Sequence, residues 1–140
     1  MPFFQHVLVP VASEEDVEAT CRALEPYLED LERVTAVHVI EKAGGGIDKA
    51  PVGKRQEDAA EFLATVEATI GGRVAVDTET YFGTDVTETL FEAAREAGAD
   101  GVAFRARGGS RIVQLLAGDL ATKLITDPAV PVISLPDPGR

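Results

Sequence analysis

Three arginines and two adjacent glycines stand in one short stretch, Arg105-Ala106-Arg107-Gly108-Gly109-Ser110-Arg111, with Gly118-Asp119 a little further on. Residues of these types can hold an anion. Guanidinium forks grip phosphate or carboxylate at two points, and glycine lets backbone N–H groups come close. The stretch follows the apolar run Gly101-Val102-Ala103-Phe104 and precedes a helical pattern. Open α/β sheets receive their ligands there, at the carboxyl ends of strands. A second reading stands beside it, in which the arginines only neutralise carboxylates on an acidic chain.

Other chemistry is sparse. The two histidines have no nucleophile spaced to pair with them: His38 lies inside an apolar strand pattern, and His6, at a strand start, reads as a surface residue. No His/Cys cluster supplies the three or four ligands of a metal site. Cys21 falls on the apolar stripe of a helix and reads as a small core residue. A Walker loop ending in Gly53-Lys54 would need glycine where Asp48 stands and a hydroxyl where Arg55 stands. No G-x-G-x-x-G follows the first strand either. The residues predict no catalytic group, so the chain is read as a non-enzyme.

The elements that position the arginine-glycine stretch follow from apolar periodicity. His6 to Val11 is a nearly continuous apolar run, as in a strand covered on both faces. Ser13 with Asp16 suggests a capping box, opening a helix with stripe Val17, Cys21, Leu24, Leu28 and Leu31 that Pro26 should kink or restart. Val34 to Ile40 reads as a second strand, Glu41 to Lys54 as a long loop, and Arg55 to Ile70 as a helix with stripe Ala59, Leu63, Val66 and Ile70. Arg73 to Phe82 alternates as a third strand, and Asp85, Glu88 and Gly98 mark the ends of the next helix. After the fourth strand, Gly101 to Phe104, a helical region runs to Thr126, where Asp127-Pro128 stops it. Val130 to Leu135 is the fifth strand, and Pro131 assigns it to a sheet edge. Such alternation means an α/β fold with a mainly parallel sheet, in a single domain over residues 1–140.

Composition narrows the function classes. Hydrophobic residues make up 45% and charged residues 26% of the 140, which excludes a disordered or fibrous chain. Asp and Glu number 24 against 13 Lys and Arg, a net charge of −11, and only four of the basic residues are lysine. A surface of that sign repels nucleic acid and anionic membranes, so neither is expected as a partner, even though Arg107-Gly108-Gly109 is similar to a triplet of RNA-binding segments. Two readings of the acidity remain open: a merely acidic domain, or adaptation to a salty cytoplasm where charge repulsion is screened. No run approaches a membrane span, and the first residues lack the basic region of a signal peptide, so a cytoplasmic location is expected.

Several of these segments together resemble the universal stress protein family. They are Val7-Leu8-Val9-Pro10-Val11, Val37-His38-Val39-Ile40, Gly98-Ala99-Asp100, the glycine loop, and Val130-Pro131-Val132-Ile133. The resemblance runs the length of the chain and implies an open five-stranded parallel sheet in the order 3-2-1-4-5 with helices on both faces. It also implies a regulatory or interaction module within the wider adenine nucleotide hydrolase-like superfamily. It further implies a homodimer paired through the last strand, with Val130, Val132, Ile133 and Leu135 at the interface, alongside a protein partner that the sequence does not identify.

Many members bind ATP through a G-x-x-G, nine residues, G-[ST] pattern. Aligned on Gly118, Gly108 is the second glycine and Gly109 to Ala117 fills the spacing, but Arg105 stands at the first glycine and Asp119 at the hydroxyl. The family's aspartate after the first strand is here Ala12. A side chain at position 105 obstructs close approach of backbone to phosphate, and the Asp119 carboxylate repels a polyphosphate. The resemblance therefore implies a degenerate nucleotide site on Pro10, Val11, Ala12, Ile40, Arg105, Arg107, Gly108, Gly109, Gly118 and Asp119, with no cofactor and ATP disfavoured. The alternative is a crevice along Arg105–Gly109 and Gly118 that takes a nucleotide or another anion. Asp119 is expected to pair with an arginine of the loop, Arg105 first and Arg107 or Arg111 next.

Overall fold

The computed structural model describes residues 4–41, 52–105 and 119–136. Strands β1 (His6–Pro10), β2 (Arg33–Glu41), β3 (Ala75–Gly83), β4 (Gly101–Phe104) and β5 (Val132–Ser134) form one sheet in the order β3-β2-β1-β4-β5, with every pair parallel. Helices α1 (Glu14–Leu24), α2 (Val52–Ile70), α3 (Val86–Ala97) and α4 (Asp119–Thr126) cover it.

Strand alternation sends side chains to two cores. Val7 and Val9 of β1, Val34 and Ala36 of β2 and Ala103 of β4 pack with Val17, Cys21 and Leu24 of α1 and Leu63, Val66 and Ile70 of α2. Leu8, Val37, Val39, Val102 and Phe104 point the other way, against Leu90, Phe91, Ala93 and Ala94 of α3 and Leu124 of α4. Both faces of the central strands are therefore dry, which explains their unbroken apolar runs. Leu8 is fully buried, and truncating such a side chain to alanine costs about 2–5 kcal/mol.

The helix ends obey their caps. Ser13 Oγ accepts the Asp16 N–H at 3.1 Å, and Asp85 Oδ1 accepts the Glu88 N–H at 3.1 Å. Gly98, with φ of 73°, closes α3 in the left-handed conformation that glycine adopts without strain. Pro26 does more than kink its helix. It ends α1 at Leu24, and Glu25–Asp30 continues as a 3₁₀ helix with the proline in its first turn. The ring has no N–H to donate and crowds the carbonyl four residues back, so an α-helical hydrogen bond is lost there.

Smaller boundaries also differ from the periodicity. Helix α2 begins at Val52, so the predicted loop ends before Lys54, and its remaining residues, 42–51, lie outside the described residues. Strand β3 begins at Ala75 because the Arg73 and Val74 N–H groups still turn back to Ile70 O. The helical region expected before Thr126 is described from Asp119 onward. Pro131 lies just before β5, at the sheet edge as its missing N–H requires, and its carbonyl accepts the Val102 N–H at 2.9 Å. Gly101 admits this approach, since a Cβ there would stand 2.8 Å from Pro131 O and 2.7 Å from the Phe4 ring.

Candidate functional site

The order of strands reverses between β1 and β4, and the crevice at their carboxyl ends is where open α/β sheets bind ligands. Leu8 pairs with Val102 in the β1–β4 register, so Arg105, one step beyond β4, comes level with Val11 and Ala12, just beyond β1. Val11 is held by its neighbour strand: its N–H donates to Val37 O at 2.9 Å, and its carbonyl accepts the His38 Nδ1–H at 2.8 Å. His38 also meets Phe62 edge-on, with ring centroids 5.5 Å apart. Pro10 and Val11 are buried, Ala12 is half-buried, and Ile40 is buried near the end of β2.

Asp16 organises this end of the molecule. It is fully buried, and its Oδ2 accepts the Ala12 N–H at 2.9 Å while its Oδ1 accepts the Thr20 hydroxyl at 3.3 Å. In a capping box the third helical residue reaches back to the cap residue itself; here it reaches one residue further, to Ala12. Ala12 thus lacks a carboxylate of its own, but Asp16 delivers one to its backbone.

Arg105 enters from β4. Its side chain is only 12% exposed, and Nη2 stands 3.8 Å from Asp16 Oδ1. That separation is a charge contact, beyond hydrogen-bond range. The Nε atom is buried and has no hydrogen-bond partner among the described residues; a buried donor left unpaired costs about 1–3 kcal/mol. The spacing predicts Asp119 as the first partner of Arg105; the structure places Asp16 beside the guanidinium. The Asp119 side chain, together with Arg107, Gly108, Gly109, Arg111 and Gly118, lies outside the described residues. In the sequence Asp16 was legible only as part of a helix cap. The signal that could have found Asp16 is an acid at the third helical position, six residues after the end of a buried strand.

The remaining candidates have quieter roles. Cys21 is buried, and its thiol is pushed up to about 11, by burial first and the Asp16 carboxylate second. A protonated, enclosed thiol is a poor nucleophile. His6 is half-buried rather than a free surface residue, with Nε2 2.7 Å from Thr35 Oγ1. Among the described residues no group of His, Cys, Asp and Glu could hold a metal ion, and no helix is long and apolar enough to cross a membrane.

At the fifth strand, Leu135 is buried and donates its N–H to Phe104 O at 2.7 Å. Val130, Val132 and Ile133 are half-buried. Beside them opens an apolar cleft of about 810 Å³, lined by Phe4, Tyr27, Leu31, Ile133 and Leu135 among others.

The sequence as a whole matches the universal stress protein family over residues 3–136. The chain belongs to the universal stress protein family. Among solved structures, a universal stress protein family member from Burkholderia pseudomallei superposes with a TM-score of 0.64 at 23% identity, covering 92% of this chain and 95% of that one. The universal stress protein from Archaeoglobus fulgidus in complex with dAMP gives 0.60 at 19% identity, covering 97% and 100%. A universal stress protein family member from Arabidopsis thaliana with AMP bound gives 0.57 at 15%, covering 92% and 90%. At these identities the structures share a fold with this universal stress protein. No curated protein sequence matches it.

Proposed function

We infer that this universal stress protein is a regulatory or interaction module of the cytoplasm, a non-enzyme that does not use ATP and acts as a homodimer. The observation that carries the reading is Arg105. A long, largely buried side chain braced on Asp16 occupies the position where the nucleotide-binding pattern has its first glycine. It fills space that phosphate needs beside backbone N–H groups. Ala12 and Asp119 depart from the pattern in the same sense, one removing a polar contact and the other adding negative charge. Calorimetric titration with Mg-ATP tests the reading: no measurable heat at tens of micromolar protein is expected, and micromolar affinity overturns it.

Dimerisation through β5 is supported by two features of that edge. Among the described residues β5 pairs only with β4, and an edge strand leaves N–H and C=O groups that another strand can satisfy. The apolar cleft beside Ile133 and Leu135 is continuous with it. A second copy, related by a two-fold axis through the edge, would complete both the ladder and the cover of the cleft. Sedimentation is expected to give a dimer at tens of micromolar, on the order of ordinary assay concentrations for a modest interface.

A second reading has its own observation. The buried Arg105 Nε, which has no partner among the described residues, favours a crevice that takes a nucleotide or another anion. The dAMP and AMP complexes of the relatives from Archaeoglobus fulgidus and Arabidopsis thaliana support it at the level of the shared fold. Titration with AMP separates the two readings.

A further inference from the structure

We propose that the β3 edge of the sheet, along Ala75 to Tyr81, is a docking site for an extended, lysine- or arginine-bearing segment of a partner protein, which adds to the sheet as one more strand. The proposal rests on the reading of this chain as an interaction module and supplies a surface and a partner chemistry for it. Neither the crevice nor β5 enters it, so it can fail while the ATP and dimer measurements succeed.

The backbone of β3 carries it. The strand pairs with β2 residue by residue, from Arg33 with Ala75 to Glu41 with Gly83, without a bulge. Among the described residues no strand lies on its other side. Its sequence holds neither proline nor lysine, residues that commonly blunt an exposed edge. None of its nine residues is buried. A row of outward N–H and C=O groups therefore stands ready for another strand, the mode in which many extended peptides are bound. The opposite edge, β5, offers only Val132–Ser134, between Pro131 and Pro136.

Charge decides the partner. Val76 packs against the core under α2 and Tyr81 against the core under α3. Alternation therefore puts Thr78, Thr80 and Phe82 on the first face, and Asp77 and Glu79 on the second. Both acids are exposed, and Asp77 meets Arg33 of β2 at 2.6 Å. Glu96 of α3 joins them by accepting the Tyr81 hydroxyl at 3.3 Å. Burial first, and then the Glu96 and Glu79 carboxylates, raise the Tyr81 phenol above its ordinary value, which brings both charges close to that ring. A second copy is disfavoured here, because a two-fold register centred on Thr78 sets Asp77 of each copy against Glu79 of the other, and like charges directly opposite repel. A strand with lysine or arginine at alternate positions meets Glu79 and Glu96 instead. Its intervening β-branched side chains then face Thr78, Thr80 and the exposed Phe82 ring.

The test is a titration of the full-length chain, at physiological salt, with a short end-blocked synthetic peptide of alternating valine and lysine. Two relatives of that peptide serve as controls, one with glutamate in place of lysine and one with proline in place of the central valine. Affinity is read by fluorescence anisotropy and location by amide hydrogen exchange. The lysine peptide is expected to bind and to slow exchange within Ala75 to Tyr81. The proline peptide, which keeps the charge and loses the ladder, should bind at least about tenfold more weakly. Glu79→Lys, a change at an exposed side chain that leaves the Arg33–Asp77 pair in place, should weaken the lysine peptide at least about tenfold and improve binding of the glutamate peptide. No binding of the lysine peptide overturns the proposal. Equal affinity for the proline peptide, unchanged affinity of Glu79→Lys, or binding without protection of β3 also overturns it, since each reduces the effect to diffuse attraction by an acidic surface. In each of these cases silence toward Mg-ATP and a dimer in sedimentation leave the proposed function standing.

Discussion

Arg105 Nη2 and Asp16 Oδ1 stand 3.8 Å apart across the carboxyl ends of β4 and β1. The carboxylate belongs to the first turn of α1 and simultaneously accepts the Ala12 N–H that follows β1. One buried carboxylate thereby ties the end of the first strand, the first helix and the residue after the fourth strand. In a buried pair the intact couple contributes little net stability, but losing one partner strands a charge in low dielectric.

Asp16→Ala should therefore destabilise the protein by about 3–5 kcal/mol, the range for breaking a buried ion pair. Asp16→Asn should cost less, because its amide oxygen still accepts the Ala12 N–H. Urea unfolding of the two variants checks the order, and an Asp16→Ala change near zero would remove Asp16 from its organising role.

Restoring the family pattern should restore some nucleotide affinity. Arg105→Gly with Asp119→Ser returns the first glycine and the hydroxyl, removing one obstruction and one negative charge. The expected result is a measurable calorimetric signal with Mg-ATP where the wild type has none. No gain in the double variant means the site was lost for reasons beyond these two residues.

Ile133→Asp should leave the fold intact and shift the proposed dimer to monomer. Ile133 is half-buried on β5 and lines the apolar cleft, and a carboxylate at the centre of an apolar contact is left unpaired. Sedimentation velocity of wild type and variant decides the matter, and identical sedimentation of the two would argue that β5 is not the interface.

Concentrated potassium chloride should raise the melting temperature. With 24 acidic against 13 basic residues, repulsion between carboxylates outweighs exposed pairs such as Arg33–Asp77, and salt screens the exposed charges of both kinds. A gain of several degrees between dilute buffer and molar salt is expected; no gain leaves the acidity as a plain property of the surface.

Two titrating groups give opposite pH signatures. The Asp100 carboxyl is lowered, first by the hydrogen bonds it accepts from the Gln5 and His6 N–H groups. A group depressed in the folded state contributes stability above its unfolded value, near 4, that is lost as pH falls. Asp100→Asn should therefore flatten the acid limb of the stability profile. Cys21 is raised in the folded state to about 11, so its contribution is complete below its ordinary value and fades as pH climbs toward 11. Native protein at pH 8 should resist thiol reagents until it is unfolded; prompt labelling of Cys21 would contradict its burial.

The α/β class and the placement of the strands were legible because strands covered on both faces must be apolar almost throughout. Val7-Leu8-Val9 and Val102-Ala103-Phe104 carry that requirement in their composition alone. Caps were legible for the same local reason, since Ser13, Asp85 and Gly98 act on backbone groups within a few residues. The strand order and the family followed from whole segments taken together.

What the local pattern could not show is which charge meets which. Motif position puts Asp119 with Arg105 first and with Arg107 or Arg111 next. Only the parallel register of β1 with β4 brings position 105 level with Val11, next to Ala12, and only the turn after β1 points the Asp16 carboxylate back toward that strand. The apolar cleft at β5 escaped for a related reason, as Phe4, Tyr27, Leu31 and Ile133 come from separate elements. Hydrophobic periodicity and capping act between neighbours in the chain and are written in composition and spacing. Ion pairs and clefts depend on distances of a few ångströms between remote residues, which the packing of helices on the sheet alone decides.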